Sequence, residues 1–423
     1  MSTGMLRFVT AVLPLAACFG FASPCSAQLG ADLVSNTVAR QLGLERMWST
    51  QLRVDPTRGR VKYVTIHRGL LVAQTDRGTV QAVDAETGRT YWVAEIGRAN
   101  ALVQQPAVND KYVAAINGGD LFLLDRSTGA VRWQQRLGNS PATGPALSAD
   151  RVFVPLDGGH VESYKLERER ILDNVPDRFS GTGGATQPPL AVANRVLWTS
   201  TNGYVYSREQ TKELIQFRFR MNDEGAGTPA YLTPFVYAAS RAGVVYCLNE
   251  VTGLDVWHLA VGQSISQPLV ALEGMLFAIT ETGDMVRIDP LAGRQLWYIG
   301  GIANFLSASA KRLYVTDLSG RLTVLDTASG ARLGSLEIPG LTEFTIRNTS
   351  SDRIYLATST GMVQCLREIT QPKPIEHVPG FAIAPKPKEG AAPAAPADGS
   401  APADGSTPAA DPAAPAAANP FGS

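Results

Sequence analysis

A fifteen-residue pattern recurs along the chain and restricts its fold more than any other feature. The segments Gly78–Trp92, Gly119–Trp133, Gly243–Trp257 and Gly283–Trp297 each place a second glycine ten residues after the first and a tryptophan four residues later. Weaker copies begin at Gly159, Gly203, Gly320 and Gly361. The eight leading glycines are separated by 41, 40, 44, 40, 40, 37 and 41 residues. Self-similarity at that period defines a repeat architecture in which each unit is one supersecondary element.

Each copy makes sense as a β-meander. The leading glycine closes a hairpin, where a positive φ is tolerated without a Cβ. Alternating apolar residues follow as a strand. Asp84, Asp125, Asp289 and Asp326 then open a turn in which a carboxylate oxygen accepts from backbone N–H groups. Gly88, Gly129, Gly253, Gly293 and Gly330 supply a left-handed residue near the end of that turn. The tryptophan falls on the outermost strand, placed to pack between units. Two apolar runs precede each leading glycine, such as Tyr63–Ile66 and Leu70–Ala73, which makes four strands per repeat. The last repeat lacks a tryptophan strand, and the N-terminus carries a spare one at Met47–Leu52, containing Trp48. Pairing the two closes a ring and removes an exposed sheet edge. The expected fold is all-β: an eight-bladed β-propeller over residues 47–371, with the N-terminal strand outermost in its last blade. Ala31–Leu44 reads as a helix, with Val34, Val38 and Leu42 on one face.

The G-x-[VL]-x-x-[LV]-D-x-x-T-G-x-x-x-W pattern resembles the pyrroloquinoline-quinone-type (PQQ-like) repeat from about Met47 to Leu366. Two groups of proteins share this propeller. Quinoprotein dehydrogenases use the quinone and calcium, and the resemblance to their alcohol-oxidising members would imply an adjacent cysteine pair. The chain has no such pair. It is more similar to the BamB-type family, exported propellers that assist assembly of outer-membrane β-barrels. That resemblance implies a non-catalytic scaffold with no cofactor, working as a monomer within a complex of envelope proteins, with the barrel-assembly machinery as its expected partner; the alternatives are an exported propeller that binds another protein or ligand and a quinone-dependent dehydrogenase.

The two ends fit export. Arg7, the apolar run Phe8–Ala17 and Cys25-Ser26-Ala27 make a signal peptide over residues 1–27. Leu15-Ala16-Ala17-Cys18 also matches a bacterial lipobox, in which Cys18 would be lipidated. Both readings place the protein in the periplasm or on the periplasmic face of the outer membrane. Residues 28–46 form a short N-terminal segment, and residues 372–423, rich in Ala and Pro, read as a disordered tail. With 38 basic and 38 acidic residues, the chain has no net charge to draw it to nucleic acid.

Catalytic signatures are missing. His67, His160, His258 and His377 show no metal-ligand spacing. Cys247 and Cys365 share one repeat position with Ala82, Ser163 and Ser207, a small interior slot; three blades apart, they cannot form a disulfide. The pattern breaks between Gly159 and Phe217, the longest interval, where the turn motif and the tryptophan are lost. Loops on rigid scaffolds often carry binding. The run Asp177-Arg178-Phe179-Ser180 is similar to an Asp-Arg-Leu-Ser stretch of the BamB-type family near its partner-binding loops. Arg178 and Phe179, helped by Arg168 and Arg170, are therefore the expected partner contacts.

Overall fold

The computed structural model describes Met1 and residues 33–55, 57–169, 175–211, 215–338, 345–378 and 382–383. Seven four-stranded antiparallel sheets follow one another in chain order, from Val61–Glu95 in the first blade to Ile302–Glu337 in the seventh. The eighth sheet joins Ile354–Ala357 and Met362–Glu368 to the N-terminal strand Leu44–Gln51. Its innermost position is marked by a single bridge, Thr345 to Leu356.

The expected closure is present, and in register. Trp48 lies opposite Cys365, four residues after the leading Gly361. Trp92 lies opposite Ala82, Trp133 opposite Leu123, Trp257 opposite Cys247 and Trp297 opposite Arg287 in the same way. The slot facing the tryptophan is therefore interior but not always small, since Leu123 and Arg287 also occupy it. Cys247 and Cys365 are buried free thiols. Burial pushes the Cys247 thiol up to about 12.

The tryptophans join one blade to the next. Trp48 Nε1 donates to Ala85 O at 3.1 Å, Trp92 to Arg126 O at 2.7 Å, Trp257 to Pro290 O at 3.1 Å and Trp297 to Thr327 O at 3.1 Å. Each acceptor follows the turn aspartate of the next blade. The turn glycine of that blade lies under the indole: a Cβ at Gly88 would sit 2.6 Å from Trp48, and one at Gly330 would sit 2.8 Å from Trp297. Glycine is needed there both for a positive φ and for close approach of the ring.

The N-terminal segment departs from the expected long helix. Among the described residues of this stretch only Asn36–Arg40 is helical, with Ser35 as its N-cap. Gly43 turns the chain at φ +71 and the strand begins at Leu44, three residues before the expected domain boundary. Val34, Val38 and Leu42 do share a face, packed against Tyr314, Leu322 and Val324 of the seventh blade. The tryptophan position of that blade is Gly334, and Leu42 fills the space, 2.7 Å from where a Cβ would stand. The C-terminal boundary also moves. Ile375 and His377 bond to the eighth blade, so the chain has not left the propeller at Pro372. Residues 2–32, which hold the rest of the expected signal peptide with Cys18, and residues 384–423 lie outside the described residues.

Candidate partner-binding site

The irregular third and fourth blades keep the architecture and change its chemistry. Lys165 stands where other blades place the turn aspartate. Trp133 still donates to the next carbonyl, Leu166 O, at 2.9 Å. Its ring is covered by Arg168, whose guanidinium carbon is 3.6 Å from the centroid, a cation–π contact. Arg168 is thus part of the seam between the second and third blades. Arg170 lies outside the described residues.

In the third blade the tryptophan position is Asp177, opposite Ser163 and ion-paired to Arg151. The aromatic comes two residues later. Phe179 is 5% exposed, packed with Val161, Trp198 and Tyr206. The buried Arg208 guanidinium lies 3.2 Å from its centroid. Trp198 and Tyr206 stack at 5.0 Å. In the fourth blade Phe217 replaces tryptophan over Gly253. The expectation that Phe179 contacts a partner is corrected here: alternation turns the ring inward, and it joins the third blade to the fourth.

Arg178 points the other way. Its side chain is 57% exposed, and Nη2 lies 2.7 Å from Oε1 of Glu162, which is almost fully buried. Tyr164 donates to the other oxygen of Glu162. Glu162 is three residues after its leading glycine, where the other blades carry Gln81, Phe122, Tyr206, Tyr246, Val286, Thr323 and Gln364, all buried. The only acid at this interior position holds an exposed arginine in place. Repeat register alone could have revealed Glu162.

A groove of about 750 Å³ lies between the first two blades beside Arg68, Tyr91, Lys111, Asp125, Arg126 and Arg132. Its charges are largely spent on one another: Arg68 pairs with Asp110, Arg132 with Asp125, and Tyr91 donates to Asp84. Among the described residues no group of three His, Cys, Asp or Glu side chains is arranged to hold a metal. His67 faces Asp110, His160 faces Ser180, His258 faces Asp255 and His377 faces Glu273, four separate environments.

An eight-bladed ring of PQQ-like repeats, with tryptophan–glycine seams and an N-terminal closing strand, defines the class of protein. The family described as outer membrane protein assembly factor BamB matches residues 45–172 and 180–374, and the chain belongs to that family. The factor BamB of Shewanella oneidensis is 21% identical over 337 residues, covering 70% of this chain and 82% of the relative. That of Yersinia pestis is 21% identical over 301 residues, covering 68% of this chain and 67% of the relative. The crystal structure of BamB from Moraxella catarrhalis superimposes with a TM-score of 0.61 at 21% identity, over 77% of this chain and 97% of that one. A computationally designed protein, Ika8, gives the same TM-score at 14% identity, over 74% of this chain and 98% of its own. Structural likeness at this level shows the fold alone. The two stretches of the family match leave out residues 173–179, so Arg178 and Phe179 fall in its gap.

Proposed function

We propose that this protein is an exported, non-catalytic scaffold in outer-membrane protein assembly, acting at the periplasmic face of the outer membrane. It works as one copy within a complex, takes no cofactor, and is attached to the membrane only through an N-terminal lipid if Cys18 is processed. The observation that carries this reading is the family match, which runs through all eight blades. Relatives that share it are named as outer membrane protein assembly factors.

Arg178 is the residue proposed to meet the partner. It is exposed, fixed by a buried carboxylate, and set where the repeat has been released from its pattern. Arg168 and Phe179 act behind it, by holding the seams on either side of its blade. The test is a crosslinked pull-down from intact envelopes with the native chain and with Arg178→Gln, which keeps a hydrogen-bond donor for Glu162. Barrel-assembly proteins should be recovered with the native chain and depleted with the variant, while circular dichroism shows the same fold for both at the temperature of the experiment. Their absence from the native sample would overturn the assembly role. Equal recovery from both would remove Arg178 from the interface.

A further inference from the structure

The family match ends at residue 374, but the chain continues to bond to the propeller beyond it. Arg353, whose side chain is fully buried, donates to Gln371 O at 3.2 Å and Pro372 O at 3.0 Å while pairing with Glu86 of the first blade at 3.2 Å. Arg367 donates to Pro372 O at 2.7 Å. Ile375 N donates to Asp352 Oδ1 at 2.9 Å and Asp352 N returns a bond to Ile375 O at 3.1 Å. Glu376 bridges to Ser351 in antiparallel fashion, and His377 N donates to Ser350 O at 2.9 Å. All of these anchors in residues 350–352 belong to the turn after the innermost position of the eighth blade.

The segment then reaches other blades. His377 is 6% exposed. Its Nδ1 lies 3.1 Å from Glu273 Oε1, just after the inner strand of the sixth blade. Its Nε2 lies 3.0 Å from Ala308 O, the end of the inner strand of the seventh. Ile383 N donates to Thr233 O at 3.0 Å, just after the inner strand of the fifth blade. The Ile383 side chain packs on the core shared by the fifth and sixth blades. At the other end of the inner strand of the sixth blade, Arg347 of the eighth donates to Pro268 O, at 3.0 Å, and to Leu269 O, just before Val270.

We propose that residues 372–378 and Ile383 form a C-terminal clasp that fastens the fifth to eighth blades together along the ends of their inner strands. Ring closure then has two fastenings of different kinds. The N-terminal strand joins the eighth blade to the first at the rim. The clasp ties four blades together nearer the centre, touches the first only through the turn it anchors, where Ser350 Oγ donates to Ile66 O at 3.2 Å, and leaves the second to fourth to their seams alone. In a repeat protein whose units contact only their neighbours, an element that spans four units couples them beyond nearest-neighbour terms.

Hydrogen exchange resolved by peptide separates this from a passive tail, because local opening free energies are read blade by blade. Three chains are compared: the full chain, one ended after Ile383 and one ended after Gln371. The first two should exchange alike. In the third, peptides around 230–235, 270–275, 306–310 and 348–355 should exchange at least tenfold faster, with the second to fourth blades unchanged. A synthetic 372–383 peptide added to the shortest chain should restore part of that protection. Should the shortest chain fail to fold, His377→Ala in the full chain gives the same reading, with faster exchange confined to the sixth to eighth blades. Unchanged exchange, a uniform change in all eight blades, or equal loss on ending the chain after Ile383 would overturn the clasp.

Discussion

Gly293 and Gly262 share a left-handed backbone, at φ +65 and +84, but not a neighbourhood. An added Cβ at Gly262 meets nothing within 4 Å, whereas at Gly293 it collides with the Trp257 ring. Gly262→Ala should therefore cost only the conformational penalty, about 1–2 kcal/mol. Gly293→Ala should cost about 1–3 kcal/mol more, because the indole is forced from its place. Urea midpoints at constant m measure the difference, and equal losses would mean that the ring moves aside freely. Phe179 and Arg178 make a second contrast. Phe179→Ala should cost about 3–5 kcal/mol as a core truncation, and Arg178→Gln about 1–3 kcal/mol, since Gln keeps a hydrogen bond but leaves the buried Glu162 carboxylate without its charge partner; the same titrations read both. These two residues also show where sequence reading stopped. The tryptophan–glycine spacing located the seams wherever the motif survived. In the third blade the aromatic had shifted by two positions, and nothing local to Arg178-Phe179 says which of the two faces inward. That follows only from Phe179 lying opposite Val161 in the sheet.

At the scale of the element, the turn after the third strand repeats the same side-chain chemistry wherever the motif is kept. Asp84 Oδ1 accepts from Glu86 N, Thr87 N and the Thr87 hydroxyl. Asp125 and Asp326 do the same with Ser127 and Ser329. Burial opposes ionisation of Asp84, but the Tyr91 and Thr87 hydroxyls outweigh it and hold the carboxyl below 3.8. The Ser127 hydroxyl and Arg132 depress Asp125, and Ser329 depresses Asp326. A carboxyl depressed in the fold stabilises it above the unfolded value, and that stability is lost as pH falls through the folded value. The blade carrying Asn249 is a natural control, since Asn249 Oδ1 accepts from Val251 N, Thr252 N and the Thr252 hydroxyl without a charge. Replacing Asp84, Asp125 and Asp326 together by Asn should keep the turns. It should flatten the fall in melting temperature below about pH 4, where ordinary aspartates take up protons. An unchanged slope would show that the acid sensitivity arises elsewhere. These turns were legible because side-chain chemistry dictates them. The inner strands were legible only as short apolar runs, such as Tyr63–Ile66, and their ends were not, because Pro106, Pro188 and Pro268 lie in or beside three of them. Proline is tolerated there, as the innermost strand needs partners on one side only.

A ring and an open array of the same eight blades differ in what the last seam is worth. In an array, loss of Trp48 would loosen one end and let the terminal blade fray, because each unit is held by its neighbours alone. In a closed ring no blade is terminal, and the Trp48 seam between the eighth and first blades equals any other. Trp48 is 8% exposed, bonded to Ala85 O and set against Gly88. Trp257 has the same surroundings between the fifth and sixth blades, with Pro290 O and Gly293. Strand Leu44–Gln51 is joined to the eighth blade only by hydrogen bonds and packing, so the comparison tests a closure made without a covalent link. Trp48→Ala and Trp257→Ala should each cost about 3–5 kcal/mol, within the range of large aromatic truncations. Both should leave a single urea transition in which circular dichroism and intrinsic fluorescence coincide. If Trp48→Ala instead separates the two signals, or costs well under half as much as Trp257→Ala, the eighth blade behaves as a free end. The molecule would then unfold as an array whose ends happen to touch. Matching costs in one transition would mean that the eight-residue strand at the N-terminus makes the whole ring a single cooperative unit.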